Sequence, residues 1–456
     1  MSEFLPSSFV KMRSKQEVLD HFESLLKQSF QIYFGNRSPA LPEIETFLNL
    51  RNTFPESLQI PDSKEALHLN QWCEGSDPRT LEKSKAFLVQ GKMIFWLLWA
   101  GEASRAEQIL QESESYIYDK HGKPISTKPS KVFFQGNSFD PDLPKELNLA
   151  VRQMLQRRLD LERLGGEETL KRTPFIIHIN QDNKVGVLEL FRRYDFFGFN
   201  PDLIVFIIQD GIEGWTFQNG WKEYGQKRPG GHGYPLLQLS WKNQGFTLNS
   251  AGTERPIVGI SPLEYFDKSE LLCAFPVEDN KLLQSAFDVK RLAAVQTLLD
   301  ENPKRILVLE AILNLKGQKG GAFLQKPTTG ECVMVEKLQL QTPEHQHLFL
   351  NPQKMPLLNR NITYIKVKEF QKAIQHEGMY FTFNSRDPGN KGTLGFWPDL
   401  VTCIISQSPA FLKSGVFYEE GLAIENFKSE ADVPLLLKRF HEQMQQSDFQ
   451  ELWKKL

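Results

Sequence analysis

Apolar and polar positions alternate along this chain in two rhythms. Helical spacing runs through Gln16–Leu26, Leu147–Arg163, Val185–Arg193, Val289–Leu299 and Val433–Gln445, and predicts a helix at each. Short runs that are apolar on both faces interrupt them: Ile94–Gly101, Pro174–Ile179, Leu203–Ile208, Leu271–Phe275 and Ile306–Glu310. Such runs suit strands covered on both sides. Residues 86–110 read as a helix end, a turn at Gly91, a buried strand, Gly101 and a further helix, the opening of a βα unit. Strands alternating with helices predict a largely parallel sheet. The first 85 residues read as mostly helical, punctuated by Pro39, Pro42, Pro55 and Pro61, and residues 119–145 read as a loop rich in Lys, Pro, Gly and Ser. Beyond about residue 390 the alternation weakens, and the helix Val433–Gln445 closes the chain.

Composition narrows the class without naming a function. At 456 residues the chain exceeds one simple core. Its 40% hydrophobic and 24% charged residues are ordinary for a globular protein. No apolar run approaches a membrane span, and the N-terminus Met1–Pro6 lacks the basic-then-apolar pattern of a signal peptide. A net charge of -2 and no long basic tract argue against nucleic acid as a partner. Cys73, Cys273, Cys332 and Cys403 form neither a CxxC pair nor a zinc-spaced cluster, so the expected compartment is the reducing cytoplasm.

Four segments have residue types suited to phosphate chemistry. In Arg228-Pro229-Gly230-Gly231-His232-Gly233, glycines admit a ligand to bare backbone and the histidine can donate to an oxygen; a tight surface turn has the same composition. In Lys316-Gly317-Gln318-Lys319-Gly320-Gly321, lysine beside glycines suits a phosphate contact, and equally a basic turn before the strand Ala322–Leu324. Pro276-Val277-Glu278-Asp279-Asn280 follows a buried strand, where carboxylates either meet ligands and Mg²⁺ or cap a helix. Trp99–Arg105 sits at the first strand-to-helix turn, a usual place for a phosphate nest, with one glycine only.

The order of these segments resembles the eukaryotic-type UDP-sugar pyrophosphorylases. Gly91–Arg105 resembles the family's "GKVAVLLLAGGxGTRLG" entry, Pro174–Gly198 its "PWYIMTSxxTxxxxxxFFxxxxYFG" stretch, and Val205–Gln209 its "VxFFxQ". Pro229–Gly233 is similar to "PPGHGD", and Val277–Asn280, followed by Asp288, to "NSDNLG". Glu310 falls at the glutamate before "KGG", and Lys319-Gly320-Gly321 matches that motif. Val335–Gln339 with Pro343 and His345 is similar to "LLEIAQVPEEH", and Asn359-Arg360-Asn361 to "NTNN". The likeness covers roughly residues 80–380, and its GHG and KGG motifs resemble the UDP-glucose branch.

The resemblance implies a GT-A-like, Rossmann-type α/β fold with a mixed, mostly parallel sheet and flanking helices. It implies an N-terminal helical region over 1–85, a nucleotidyltransferase-like catalytic domain over 86–385 and a small C-terminal domain over 386–456. The implied activity is a Mg²⁺-dependent uridylyltransferase joining UTP to a sugar 1-phosphate, glucose 1-phosphate before N-acetylglucosamine 1-phosphate. Lys319 and Arg105 would face the phosphates. Ala100, Gly101, Gln209, Gly231, His232, Gly233 and Asp279 would line the nucleotide site, with Asp279 also expected to hold the metal. Asn280, Gly320, Glu336, Asn359 and Asn361 would meet the sugar.

The chain departs from the pattern at its entry loop. Where the family has three glycines and a threonine, this sequence has Gly101, Glu102, Ala103 and Ser104, one residue short. A carboxylate ~4 Å from a phosphate charge costs roughly 4 kcal/mol at an effective dielectric near 20, about a thousandfold in affinity. No single lysine matches the family's "PKG" position; Lys120, Lys123 and Lys128 are near, and Lys428 faintly matches a later phosphate contact. The degenerate loop motivates a second expectation, a non-catalytic relative that binds nucleotide sugars.

Overall fold

The structure is a computed structural model describing residues 14–35, 39–40, 42–44, 46–47, 59, 66–101, 106–112, 115–119, 121–126, 128–217, 220–228, 230–231, 233–277, 279–314, 321–330, 332–336, 339, 351, 357–376, 382–386, 395–399, 414–419, 425 and 427–455. Its strands are β1 (Leu67–His68), β2 (Met93–Leu98), β3 (Phe175–Ile179), β4 (Ile204–Ile208), β5 (Ile212–Phe217), β6 (Trp221–Arg228), β7 (Phe246–Leu248) and β8 (Glu254–Pro256). They continue with β9 (Leu271–Pro276), β10 (Leu307–Leu313), β11 (Ala322–Gln325), β12 (Cys332–Val335), β13 (Leu357–Lys366), β14 (Thr382–Arg386), β15 (Gly395–Asp399) and β16 (Gly415–Tyr418).

A twelve-stranded sheet runs in the order β1-β16-β10-β13-β9-β2-β3-β4-β7-β8, with the β11–β12 hairpin beside β13. Strands β9, β2, β3 and β4 are mutually parallel. β13 is antiparallel to both β9 and β10, so those two run the same way. The carboxyl ends of β9, β2, β3, β4 and β10 therefore open on one edge of the sheet, together with the amino end of β13. This is the mixed, mostly parallel α/β architecture that the alternation predicts.

The central strands are apolar on both faces because both faces are covered. Along β2, Phe95 and Leu97 join one core with Phe175, Phe275 and the helix Leu149–Gly165. Ile94 and Trp96 point the other way, into a second core with Val205, Leu237 and Phe370. The helix Lys15–Phe34 buries Phe22, Leu25, Leu26 and Phe30 against a separate four-stranded sheet, β14-β15-β5-β6.

Several expectations need adjustment. The helix expected to close the chain ends at Met444 and is followed by another, Ser447–Lys455. Within the expected loop over 119–145, Lys131–Phe133 form a 3₁₀ turn, and Val132, Phe133 and Phe134 are fully buried, with Phe134 packing on Phe427 and Phe440. Strand pairing also links distant parts of the chain: β16, from residues 415–418, lies between β1 and β10 inside the main sheet.

Candidate functional site

Five strand ends build the carboxyl edge. At the exit of β2, Trp99 N–H donates to His178 O at 2.9 Å. Asn183 Nδ2 donates to Trp99 O at 2.8 Å, and Asn180 Nδ2 to Ala100 O at 3.1 Å. Side chains after β3 thus fix the direction in which Ala100 and Gly101 leave the sheet. A side chain on Gly101 would meet nothing within 4 Å, so its backbone is open to a ligand. Glu102, Ala103, Ser104 and Arg105 lie outside the described residues.

At the exit of β4, Gln209 N–H donates to Ile179 O at 2.7 Å. Its neighbour Asp210 pairs with Lys15 and accepts from the Tyr234 hydroxyl at 3.4 Å. Tyr234 opens the helix Tyr234–Ser240, and Gly233 is its cap residue. Gly231 has φ 81°, the left-handed region that favours glycine. A Cβ on Gly230 would stand 2.2 Å from Ile212 Cδ1. Two of these glycines therefore have packing or conformational reasons that need no ligand. His232 lies outside the described residues.

At the exit of β9, Asp279 is 3% exposed. Its Oδ1 accepts the Lys281 N–H at 3.0 Å, and its Oδ2 stands 2.9 Å from Arg360 Nε. Arg360 also pairs through Nη1 with Glu310 of β10. Glu310 is shared with Arg291 at 3.1 Å, and Arg291 reaches Glu419. Burial pushes the Asp279 carboxyl above its ordinary range, and the Arg360 charge opposes that rise. Burial would lower the Arg360 guanidinium, but Asp279 and Glu310 together hold it above its usual value. Asn280 begins a short 3₁₀ turn, Asn280–Leu283.

Beside this network, Asn359 N–H donates to Gly321 O at 2.8 Å, and a Cβ on Gly321 would lie 3.1 Å from Glu336 Oε1. Asn359 Nδ2 donates to Asn361 Oδ1 at 2.7 Å, while Asn361 N–H donates back to Asn359 Oδ1 at 3.0 Å. Glu336 and Gly321 are thus gathered with Asn359 and Asn361 on β13, the strand that also carries Arg360. Lys319 and Gly320 lie outside the described residues.

Of the described residues expected at the site, several lie along one edge. Gln209 leads through Asn180 to Ala100, across the β2–β9 pair to Asp279, and through β13 to Asn359 and Glu336. Lys128, one of the lysines weighed for the missing "PKG" position, pairs with Asp182 at 3.1 Å. Cavities of about 360 and 320 Å³ lie elsewhere, and neither is lined by an expected site residue. A metal at Asp279 would meet a carboxylate whose Oδ1 accepts the Lys281 N–H and whose buried Oδ2, without a hydrogen-bond partner, is ion-paired with Arg360. Among the described residues no group of three His, Cys, Asp or Glu converges. Arg360 and Arg291 escaped the sequence reading. Their signal was Glu310, a lone carboxylate in the apolar run Leu307–Leu313, which a buried cation must balance.

The mixed, mostly parallel α/β fold has counterparts among solved structures. In particular, the fold is similar to solved UDP-sugar pyrophosphorylases. A mutant UDP-glucose pyrophosphorylase from Leishmania major in complex with UDP-glucose is 12% identical, with 84% of this chain and 71% of that one covered and a TM-score of 0.57. The UDP-glucose phosphorylase from Trypanosoma brucei is 14% identical, covering 84% and 71%, TM-score 0.56. A putative UDP-N-acetylglucosamine pyrophosphorylase from Entamoeba histolytica is 14% identical, covering 85% and 88%, TM-score 0.52. No protein-family model and no curated protein sequence matches the chain. Among the described residues, no helix is long and apolar enough to cross a membrane.

Proposed function

We propose that this protein is a nucleotidyltransferase acting on nucleotide sugars, specifically a uridylyltransferase that joins UTP to glucose 1-phosphate, with N-acetylglucosamine 1-phosphate as the second acceptor. One observation supports the reading: Ala100, Gln209 and Asp279 follow the carboxyl ends of β2, β4 and β9, and Asn359 lies near the amino end of β13, so residues spread over more than 250 positions share one edge. That edge is where open α/β sheets hold their ligands. A phosphate oxygen of the sugar 1-phosphate attacks the α-phosphorus of UTP; the new P–O bond forms as the bond to pyrophosphate breaks. The protein's task is to align two anions and balance their charge. In this reading Lys319 and Arg105 supply that charge. Ala100, Gly101, Gly231, His232 and Gly233 offer backbone and a ring donor to the nucleotide, and Gln209 meets the uracil. Glu336, Asn359 and Asn361 bind sugar hydroxyls, beside Asn280 and Gly320.

Purified protein given UTP, Mg²⁺ and glucose 1-phosphate should release pyrophosphate, and Lys319→Ala should release it on the order of a hundredfold more slowly. No release across a panel of sugar 1-phosphates would remove the enzymatic reading. A second reading, a non-catalytic nucleotide-sugar-binding protein, draws support from Glu102 in the entry loop and from the engagement of Asp279 by Arg360. Calorimetry separates the two: UDP-glucose binding without turnover favours the second.

A further inference from the structure

We propose that Arg360 takes the place of a divalent metal ion at the Asp279 carboxylate, so that this edge of the sheet carries a built-in cation and Asp279 binds no metal of its own. The inference starts from a defect in the β10–β13 pairing. Leu309 pairs with Thr363 but Ala311 with Asn359, so β13 carries extra residues where β10 has Glu310 alone. Asn361, with φ 66°, takes the left-handed conformation that Asn tolerates better than other side chains. A bulge of this kind re-aims side chains. Here Arg360 ends 4% exposed, between Glu310 on one neighbouring strand and Asp279 at the end of the other.

A guanidinium suits this position because its planar fork serves two carboxylates at once and does not lose its proton. A Mg²⁺ ion needs near-octahedral oxygen ligands and keeps several waters. To reach the buried Oδ2 of Asp279 it would have to enter beside the Arg360 Nε, 2.9 Å from that oxygen, and move this guanidinium away. The network already contains two guanidiniums, Arg360 and Arg291, against the three carboxylates Asp279, Glu310 and Glu419. In sequence, Arg360 stands where the resembling motif "NTNN" has a threonine. The consequence for nucleotide binding rests on the proposed function: any Mg²⁺ would arrive and leave on the phosphates. The metal-free state of Asp279 does not rest on it.

The test uses Mn²⁺ as the probe. Crystals of the full-length wild-type protein are soaked in MnCl₂ with and without UDP-glucose, and anomalous density is mapped. The expected result is no manganese peak within coordination distance of Asp279 in either soak, with the Arg360–Asp279 pair intact. A peak on that carboxylate, with Arg360 turned away, would overturn the inference. In solution, electron paramagnetic resonance of free Mn²⁺ should give superimposable titrations for wild type and Asp279→Asn; loss of one bound ion in the variant would contradict it. Should Asp279→Asn fail to fold, the wild-type soak decides alone. Absence of UDP-glucose from the crystal would count against the proposed function while leaving the metal result readable.

Discussion

At position 178 a histidine stands inside the sheet, fully buried, accepting the Trp96 indole N–H on Nδ1 at 2.7 Å. That bond places its remaining proton on Nε2, which has no hydrogen-bond partner among the described residues. Burial pulls its pKa from 6.5 down to about 3. The folded state therefore keeps a neutral ring while the unfolded chain takes up a proton below about pH 6.5. The stability of the neutral ring is complete above 6.5 and is lost as pH falls towards 3. Urea unfolding of wild type and His178→Gln at pH 7 and pH 5 should show wild type losing about 2 kcal/mol more than the variant. Equal losses would mean that this ring titrates normally. The residue also shows the limit of reading by likeness. The resemblance aligns His178-Ile179-Asn180 with a "MTS" motif, yet the histidine points into the core and only Asn180 reaches the edge, where it holds Ala100. A side chain's face follows from the strand's alternation, and a motif match does not state it.

At the scale of elements, the turn before β2 makes the sharpest case for sequence-dictated structure. Gly91 has φ 68°, and a Cβ there would sit 2.1 Å from the carbonyl oxygen of Arg172, in the helix that leads into β3. The glycine thus sets the approach of two neighbouring strands, which meet where Phe95 N–H donates to Pro174 O at 3.0 Å. Gly91→Ala combines left-handed strain with a backbone clash and should cost about 3 kcal/mol, read as a lower urea midpoint at unchanged slope. An unaffected midpoint would place the turn elsewhere. Gly91 and the strands around it were legible because composition and periodicity agree there. The β13 bulge was not. Asn359-Arg360-Asn361 reads as a polar interruption of a strand, and nothing local states that Arg360 faces acids some 50 and 81 residues earlier in the chain. Only the lone Glu310 in an apolar strand hinted that a buried cation was needed.

Across the whole molecule, the α/β layering was legible from the sequence because a sheet covered on both faces requires runs like Met93–Leu98 to be apolar throughout. The order of strands was not, since β13 and β16 enter the sheet from distant parts of the chain through pairings that leave no local periodicity. The same long-range pairing brings Ala100, Gln209, Asp279 and Asn359 to one edge, where the backbone at Gly101 is open. The central claim is that this edge receives a uridine nucleotide. A crystal of the protein soaked with UTP tests it most directly. The account predicts nucleotide density along the carboxyl edge, the phosphates over Ala100 and Gly101 and the uracil beside Gln209. Density confined to another surface, or none at UTP concentrations that saturate a nucleotidyltransferase, would contradict it.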